Sequence, residues 1–250
     1  MRKIVIILIW LGIAAWFVVV MGFVMHESEE VLCNRIDVIL QDTVNNRLVT
    51  ERDVRSMLES SGIEIQGYPI AQINSRSLEH FLEENPYIRN VEVSKEVSGQ
   101  LEVNVEQRVP LVRILPTGSR GYYLDNEGKV LPLSADFTPL LILASGKLPG
   151  SPEEAMQDTR LKEIYEFCSF LANNQFWNDQ VVQIYVNDRG EYELIPRVGA
   201  HHILFGSMDQ WDKKLRNLEL LYRQGLARYG WNTYETINLK YTNQVICTKR

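Results

Sequence analysis

The sequence predicts an α+β protein: one N-terminal transmembrane helix, then a small β-α-α-β-β unit, then a β-rich unit with two helices. Three observations carry this. No charged residue falls between Ile4 and Met25, although 23% of the 250 residues are charged. Hydrophobic periodicity then switches from strand to helix and back to strand within about 75 residues. After Pro110, short alternating runs and turn signals dominate, interrupted by two helical patterns.

The apolar run, residues 4–25, is long enough to cross a bilayer core as a helix rising about 1.5 Å per residue. Arg2 and Lys3 precede it, while Glu27, Glu29 and Glu30 follow. The basic flank places residues 1–3 in the cytoplasm and the remaining body on the far side of the membrane. The alternatives are a cleaved signal peptide, which lacks its small-residue cleavage site here, and a buried core helix. Beyond residue 25 the body holds 24 basic and 32 acidic residues, a net charge of −8. So acidic a body offers no broad electrostatic face for nucleic acid. It is also too apolar and aromatic to be disordered.

Residues 33–41 alternate Ile36, Val38 and Leu40 on one strand face. Thr50 with Asp53 resembles a capping box, although Glu is the usual acid, and Val54, Met57 and Leu58 supply the buried face of the helix it opens. A second helix is predicted near 75–84, facing Leu78, Phe81 and Leu82 inward and ending at Asn85-Pro86. Val91 and Val93, then Leu101, Val103 and Val105, alternate around the Ser98-Gly99 turn as an antiparallel hairpin with one dry face. Two helices over three strands make one small core, predicted over residues 33–108.

The second unit, residues 109–250, opens with strands at 111–115 and 121–124. Asp125-Asn126-Glu127-Gly128 turns the chain into Lys129–Leu133, and Leu140–Ala144 is a further apolar run. Ser151-Pro152-Glu153-Glu154 reads as a helix start, with Leu161, Ile164, Tyr165, Cys168 and Leu171 on the buried face. A hairpin is predicted over 181–195, and a helix over 208–226 whose basic residues Lys213, Lys214, Arg216 and Arg223, around its buried face, are either solvated or a docking face. The end, Tyr234–Cys247, alternates as two strands or one bent strand.

Catalytic, metal and cofactor motifs are not found in this sequence. His201 and His202 are neighbours, and neighbours in a strand point to opposite faces. Three cysteines, Cys33, Cys168 and Cys247, form neither a dense disulfide framework nor a metal-ligand spacing. No GxSxG elbow, phosphate-binding loop or HExxH is present. The last polar, β-prone stretch is more informative: a terminal strand either closes its sheet or sits at its edge, where unsatisfied backbone groups can take a partner strand.

The full arrangement resembles the FtsQ/DivIB family of bacterial cell-division proteins, and its Gram-negative, Bacteroidota-like FtsQ members most. The residues that carry the resemblance are Asn85-Pro86-Tyr87-Ile88 before Val91 and Val93, and Glu106-Gln107-Arg108-Val109-Pro110-Leu111-Val112-Arg113. With them go Tyr122-Tyr123-Leu124-Asp125-Asn126-Glu127-Gly128, Phe205-Gly206, and Ile237-Asn238-Leu239-Lys240-Tyr241. Each piece alone is weak; their order and spacing are specific.

The resemblance implies a polypeptide-transport-associated (POTRA) domain over 33–108 and a β domain over 109–250. Arg108, Val109 and Pro110 match the junction between the two. It implies an inner-membrane protein at the division septum, with its body in the periplasm and with neither enzymatic activity nor cofactor. Such a protein links early and late division proteins and supports septal peptidoglycan synthesis by others. Its implied partners are an FtsK-like protein through the POTRA domain, and FtsB-like and FtsL-like proteins through the β domain. The implied partner-pairing residues are Tyr241, Thr242, Asn243, Gln244, Val245, Ile246, Cys247 and Thr248. Family members often continue past this strand, whereas this chain stops at Arg250. Two other readings stay open: a POTRA-bearing adaptor for outer-membrane protein assembly or secretion, and an anchored envelope hydrolase built around His201, Glu191 or Ser207.

Overall fold

A computed structural model describes residues 9–20, 31–41, 46–151 and 157–250. The predicted transmembrane helix is corrected by it. The described helical residues are 9–20, a rise of about 18 Å at 1.5 Å per residue, against the roughly 30 Å of a bilayer core. Among the described residues no helix is long and apolar enough to cross a membrane. Residues 4–8 and 21–25 of the expected span lie outside the described residues.

The chain divides into two compact units, residues 1–107 and 108–250. In the first, strand β1 (Arg35–Gln41) leads to helix α1 (Glu51–Ser60) and helix α2 (Ser75–Glu83), then to β2 (Ile88–Lys95) and β3 (Gln100–Gln107). The Thr50 box forms with Asp in place of Glu: Asp53 N–H donates to Thr50 Oγ1, and Thr50 N–H donates to Asp53 Oδ2 at 2.8 Å. Asn74 Oδ1 caps α2 by accepting from Ser77 N–H. Both helices bury one stripe, Val54 and Leu58 on α1 and Leu78 and Leu82 on α2. The sheet order is β1-β3-β2, so β3 is central and its Leu101, Val103 and Val105 are fully buried. β1 runs parallel to β3, and β2 antiparallel to it.

The second unit is built on a nine-stranded sheet. Its strands in chain order are β4 (Pro110–Pro116), β5 (Tyr122–Asp125), β6 (Val130–Leu131) and β7 (Ile142–Gly146). Then come β8 (Val181–Val186), β9 (Tyr192–Pro196), β10 (His202–Gly206), β11 (Tyr234–Asn238) and β12 (Ile246–Lys249). Spatially they run β12-β11-β10-β9-β8-β7-β4-β5-β6. Helices α3 (Thr159–Ala172), α4 (Gln175–Gln180) and α5 (Trp211–Leu220) contribute Ile164, Phe167, Leu171, Trp177, Leu215 and Leu218 to the core.

One helical prediction needs correction here. Among the described residues, and apart from the single turn Ala227–Tyr229, three helices stand where two were predicted, because α3 ends at Asn173 and Asn174 caps a separate short helix through Trp177 N–H. The helix start predicted at Ser151 falls mostly outside the described residues, within which α3 begins at Thr159, with Asp158 accepting from Arg160 N–H at 2.8 Å. Pro152, Glu153 and Glu154 lie outside the described residues. After α5 the helix widens into a π-turn over Leu221–Leu226, a distortion that concentrates near functional positions.

Candidate functional site

The site is the outer end of the nine-stranded sheet. β10 and β11 pair in parallel, His202 opposite Thr236, and β11 and β12 pair antiparallel, Ile237 opposite Cys247 and Asn238 opposite Ile246. Ile237 is fully buried and Cys247 packs against the same core, so Ile246 and Thr248 point to the other face. Ile246 is 44% exposed. β12 is the outermost strand, with β11 as its one neighbour among the described residues. Its second backbone edge is therefore open to another strand.

The residues before β12 are fastened rather than paired. The predicted partner-binding stretch Tyr241–Thr248 is thus two things. Tyr241, Thr242 and Asn243 lie in a bend and turn, Gln244 and Val245 follow, and strand begins only at Ile246. Tyr241 is 58% exposed, while Val245 packs against the core. Asn217 Nδ2 on α5 donates to Thr242 O at 3.0 Å, tying the turn to the helix. Lys240 N–H donates to Asn238 Oδ1, and Lys240 Nζ meets both carboxylate oxygens of Glu191 at 2.8 Å. The Lys240 ammonium holds the Glu191 carboxyl below its ordinary range. Gly206 lets Lys240 come this close: at φ +78° it avoids strain, and a Cβ there would sit 3.0 Å from Lys240 Cγ.

Lys214 departs from the solvated-helix expectation. It is 2% exposed, and its Nζ donates to Phe205 O at 3.0 Å and Ser207 O at 2.7 Å. Burial pushes its pKa down, opposed by the nearby Asp209 carboxylate. The ammonium thus closes the β10-to-α5 turn from within. Two cavities flank the turn that precedes the open strand. One of about 470 Å³ lies among Ser207, Lys214, Lys240 and Tyr241. The other, about 440 Å³, lies among Asn217, Leu221, Asn243 and Val245 beside the π-turn.

Residues weighed for chemistry do not converge. Ser207 Oγ donates to Asp209, Glu191 is held by Lys240, and the His201 ring contacts Tyr222 Oη at 3.1 Å. His201 is buried and His202 exposed. Burial lowers the pKa of His201 first, with the neighbouring His202 and Arg250 acting in the same direction. Cys33, Cys168 and Cys247 are all free thiols. No group of three metal-ligating side chains occurs among the described residues.

At the start of this unit, Arg108 Nη1 bridges to Asp125 Oδ2 at 2.9 Å and to Glu127 Oε2 at 3.1 Å. Asp125 is fully buried, and its Oδ1 also accepts from Glu127 N–H and Lys129 N–H. Val109 O accepts from Asn126 N–H, and Pro110 stands opposite Asp125. These residues brace the β5–β6 turn. The contacts that sequence reading missed, Asn217 with Thr242 and Glu191 with Lys240, join residues 25 and 49 positions apart. No local periodicity reports such pairs.

Comparison with known proteins matches the same two units. A POTRA-like domain covers residues 31–106. Among curated proteins, the chain is 24% identical over 167 residues to the cell division protein FtsQ of Rhodothermus marinus, covering 65% of this chain and 60% of that one. It is 24% identical over 178 residues to that of Salinibacter ruber, with 66% of each chain covered. For the protein of the same name from Geotalea daltonii, 24% identity extends over 201 residues, 78% of this chain and 70% of the other. The chain therefore spans less than two thirds of the length of the first two relatives. The FtsQ/DivIB C-terminal-related pattern covers residues 109–248, more than half the chain and nearly the whole nine-stranded unit, so the chain belongs to the FtsQ/DivIB family.

Proposed function

We propose that this chain is a cell-division protein of the septum that works as a non-catalytic scaffold. It links early and late division proteins by protein–protein contacts and supports septal peptidoglycan synthesis carried out by others. The observation that carries the reading is the open outer edge of β12, which ends the nine-stranded sheet. An FtsB-like partner adds a strand there, accompanied by an FtsL-like protein. Backbone pairing supplies affinity, and side chains at alternate positions, Ile246 and Thr248, supply specificity. The first unit recruits an FtsK-like protein. Two docking units on one chain let individually modest contacts reinforce each other.

The scattered partners of Ser207, Glu191 and His201 favour this reading over a hydrolase. An outer-membrane assembly adaptor commonly repeats its β-α-α-β-β unit, and the described residues hold one. The test is removal of residues 243–250. The shortened chain should keep the melting behaviour of its first unit and lose co-purification with the FtsB-like partner. Unchanged co-purification would remove the strand-addition assignment.

A further inference from the structure

We propose that one end of the first unit rests on a phospholipid surface, with Val97, at the tip of the β2–β3 hairpin, as its leading contact. The inference stands on the first unit alone and does not depend on the open edge of β12.

The hairpin turn is Glu96–Gly99, closed by Gly99 N–H donating to Glu96 O at 3.0 Å. Gly99, at φ +87°, is a residue such a turn calls for. Val97 is not. Turn tips favour Gly, Pro, Asn, Asp and Ser, each for its backbone geometry or its hydrogen bonds, and Val offers neither. Yet Val97 is 87% exposed. Two more apolar side chains stand exposed at the same end, Leu32 at 52% and Tyr68 at 37%.

The three segments that carry them are bound into one end. Leu32 and Pro69 form an antiparallel bridge, and Cys33 N–H donates to Tyr68 O at 2.8 Å. Asn34 reaches the hairpin, its N–H donating to Gly99 O at 2.9 Å and its Nδ2 to Ser98 O at 3.0 Å. Lys95 Nζ donates to Ala71 O at 3.1 Å, fixing the hairpin to the short turn Ile70–Gln72. A Cβ on Gly99 would sit 2.5 Å from Leu32 O, so only Gly lets the hairpin approach this closely. Exposed apolar groups gathered on a fixed support mark a contact with a protein or a membrane.

The chain that enters at this end selects the membrane. β1 runs parallel to β3, so the fold opens beside the hairpin tip and its sheet closes at Gln107, at the opposite end. Upstream, Ile4–Met25 carries no charged residue. The described part of that run, residues 9–20, is helical and exposed at every position, Trp10 at 67% and Val18 at 71% among them. A helix apolar on all sides is matched by lipid rather than by water. Met25 and Val31 stand at most about 22 Å apart along the chain, which tethers the Val97 end, and not the Gln107 end, to that helix. Lys95 and Glu96 beside the tip carry opposite charges, so apolar side chains rather than attraction to anionic headgroups drive the contact.

The test uses the full chain reconstituted in vesicles of phosphatidylethanolamine and phosphatidylglycerol. A diazirine-bearing side chain replaces Val97 or, at the Gln107 end, Glu84, which follows α2 just before β2. After illumination, mass spectrometry should find a lipid adduct at position 97 and none at 84. In a second chain the probe replaces Tyr68. Adding Val97→Asp there should lower the lipid adduct about tenfold and leave the melting temperature unchanged, because position 97 is exposed. No lipid adduct at 97, equal adducts at 97 and 84, or an undiminished adduct at 68 in the Val97→Asp chain overturns the proposal. So does an adduct from 97 to a second copy of the chain in place of lipid.

Discussion

At one end of the nine-stranded sheet, β6 is two residues long and buries Leu131 completely; at the other, β12 runs four residues and leaves Ile246 44% exposed. The β6 end is closed by chemistry as well as by length. Asp125, buried in the turn before it, is held by Arg108 and by two backbone N–H groups. The β12 end is fastened from behind, by Asn217 on Thr242, Glu191 on Lys240 and Arg250 on Ala200 O. Short, internally satisfied edges refuse new strands, and longer exposed ones invite them. One sheet thus has a closed end and an end whose outer edge is open among the described residues.

Substitutions at the two ends should separate these roles. Asp125→Ala leaves the mostly buried Arg108 without its closest carboxylate and strands two N–H groups. It should cost about 4 kcal/mol in urea unfolding followed by tryptophan fluorescence. Leu131→Ala empties a fully buried site at β6 and should cost about 3 kcal/mol in the same experiment. A loss below about 0.5 kcal/mol at either position would erase the contrast between the ends.

Acid should loosen the contact end before the other. His201 is buried beside Tyr222, and its folded-state pKa lies below the ordinary imidazole value of 6.5. The folded state thus favours the neutral ring, and its stability is complete above that value. As pH falls below about 6.5 the unfolded chain takes up the proton first, and stability declines. Melting between pH 7.5 and 5 should show this loss, and His201→Gln should flatten it. An unchanged slope in the variant would clear His201 of the effect. The smallest stability change belongs to Ile246→Ala, within about 0.5 kcal/mol of the parent. That substitution should still reduce capture of the FtsB-like partner; undiminished capture would show that Ile246 reads no partner side chain.

Local chemistry made much of this fold legible. The Thr50–Asp53 box, the alternating Leu101, Val103 and Val105, and the hairpin around Asn187–Gly190 are short-range patterns, and the structure contains each. The sheet order was not legible. It depends on parallel pairings of β4 with β7, β7 with β8 and β10 with β11, which join strands distant in sequence. Asp158 caps the helix beginning at Thr159 by accepting from the Arg160 amide, and the sequence reading did not single it out. Lys214 reads as a solvated lysine in sequence, and only the carbonyls of Phe205 and Ser207 explain its burial. Of the candidate partner stretch, the polar composition marked the region, but the division between the fastened turn at Tyr241–Asn243 and the strand at Ile246 arises from contacts with α5 and β11.

The central claim is that β12, and not β6, meets a partner strand. A photoreactive residue placed at Thr248 in dividing cells tests it directly, with Lys129 beside β6 as the matched position. The account predicts a covalent product with the FtsB-like protein from Thr248 and none from Lys129. No product from Thr248, or equal products from both positions, would contradict it.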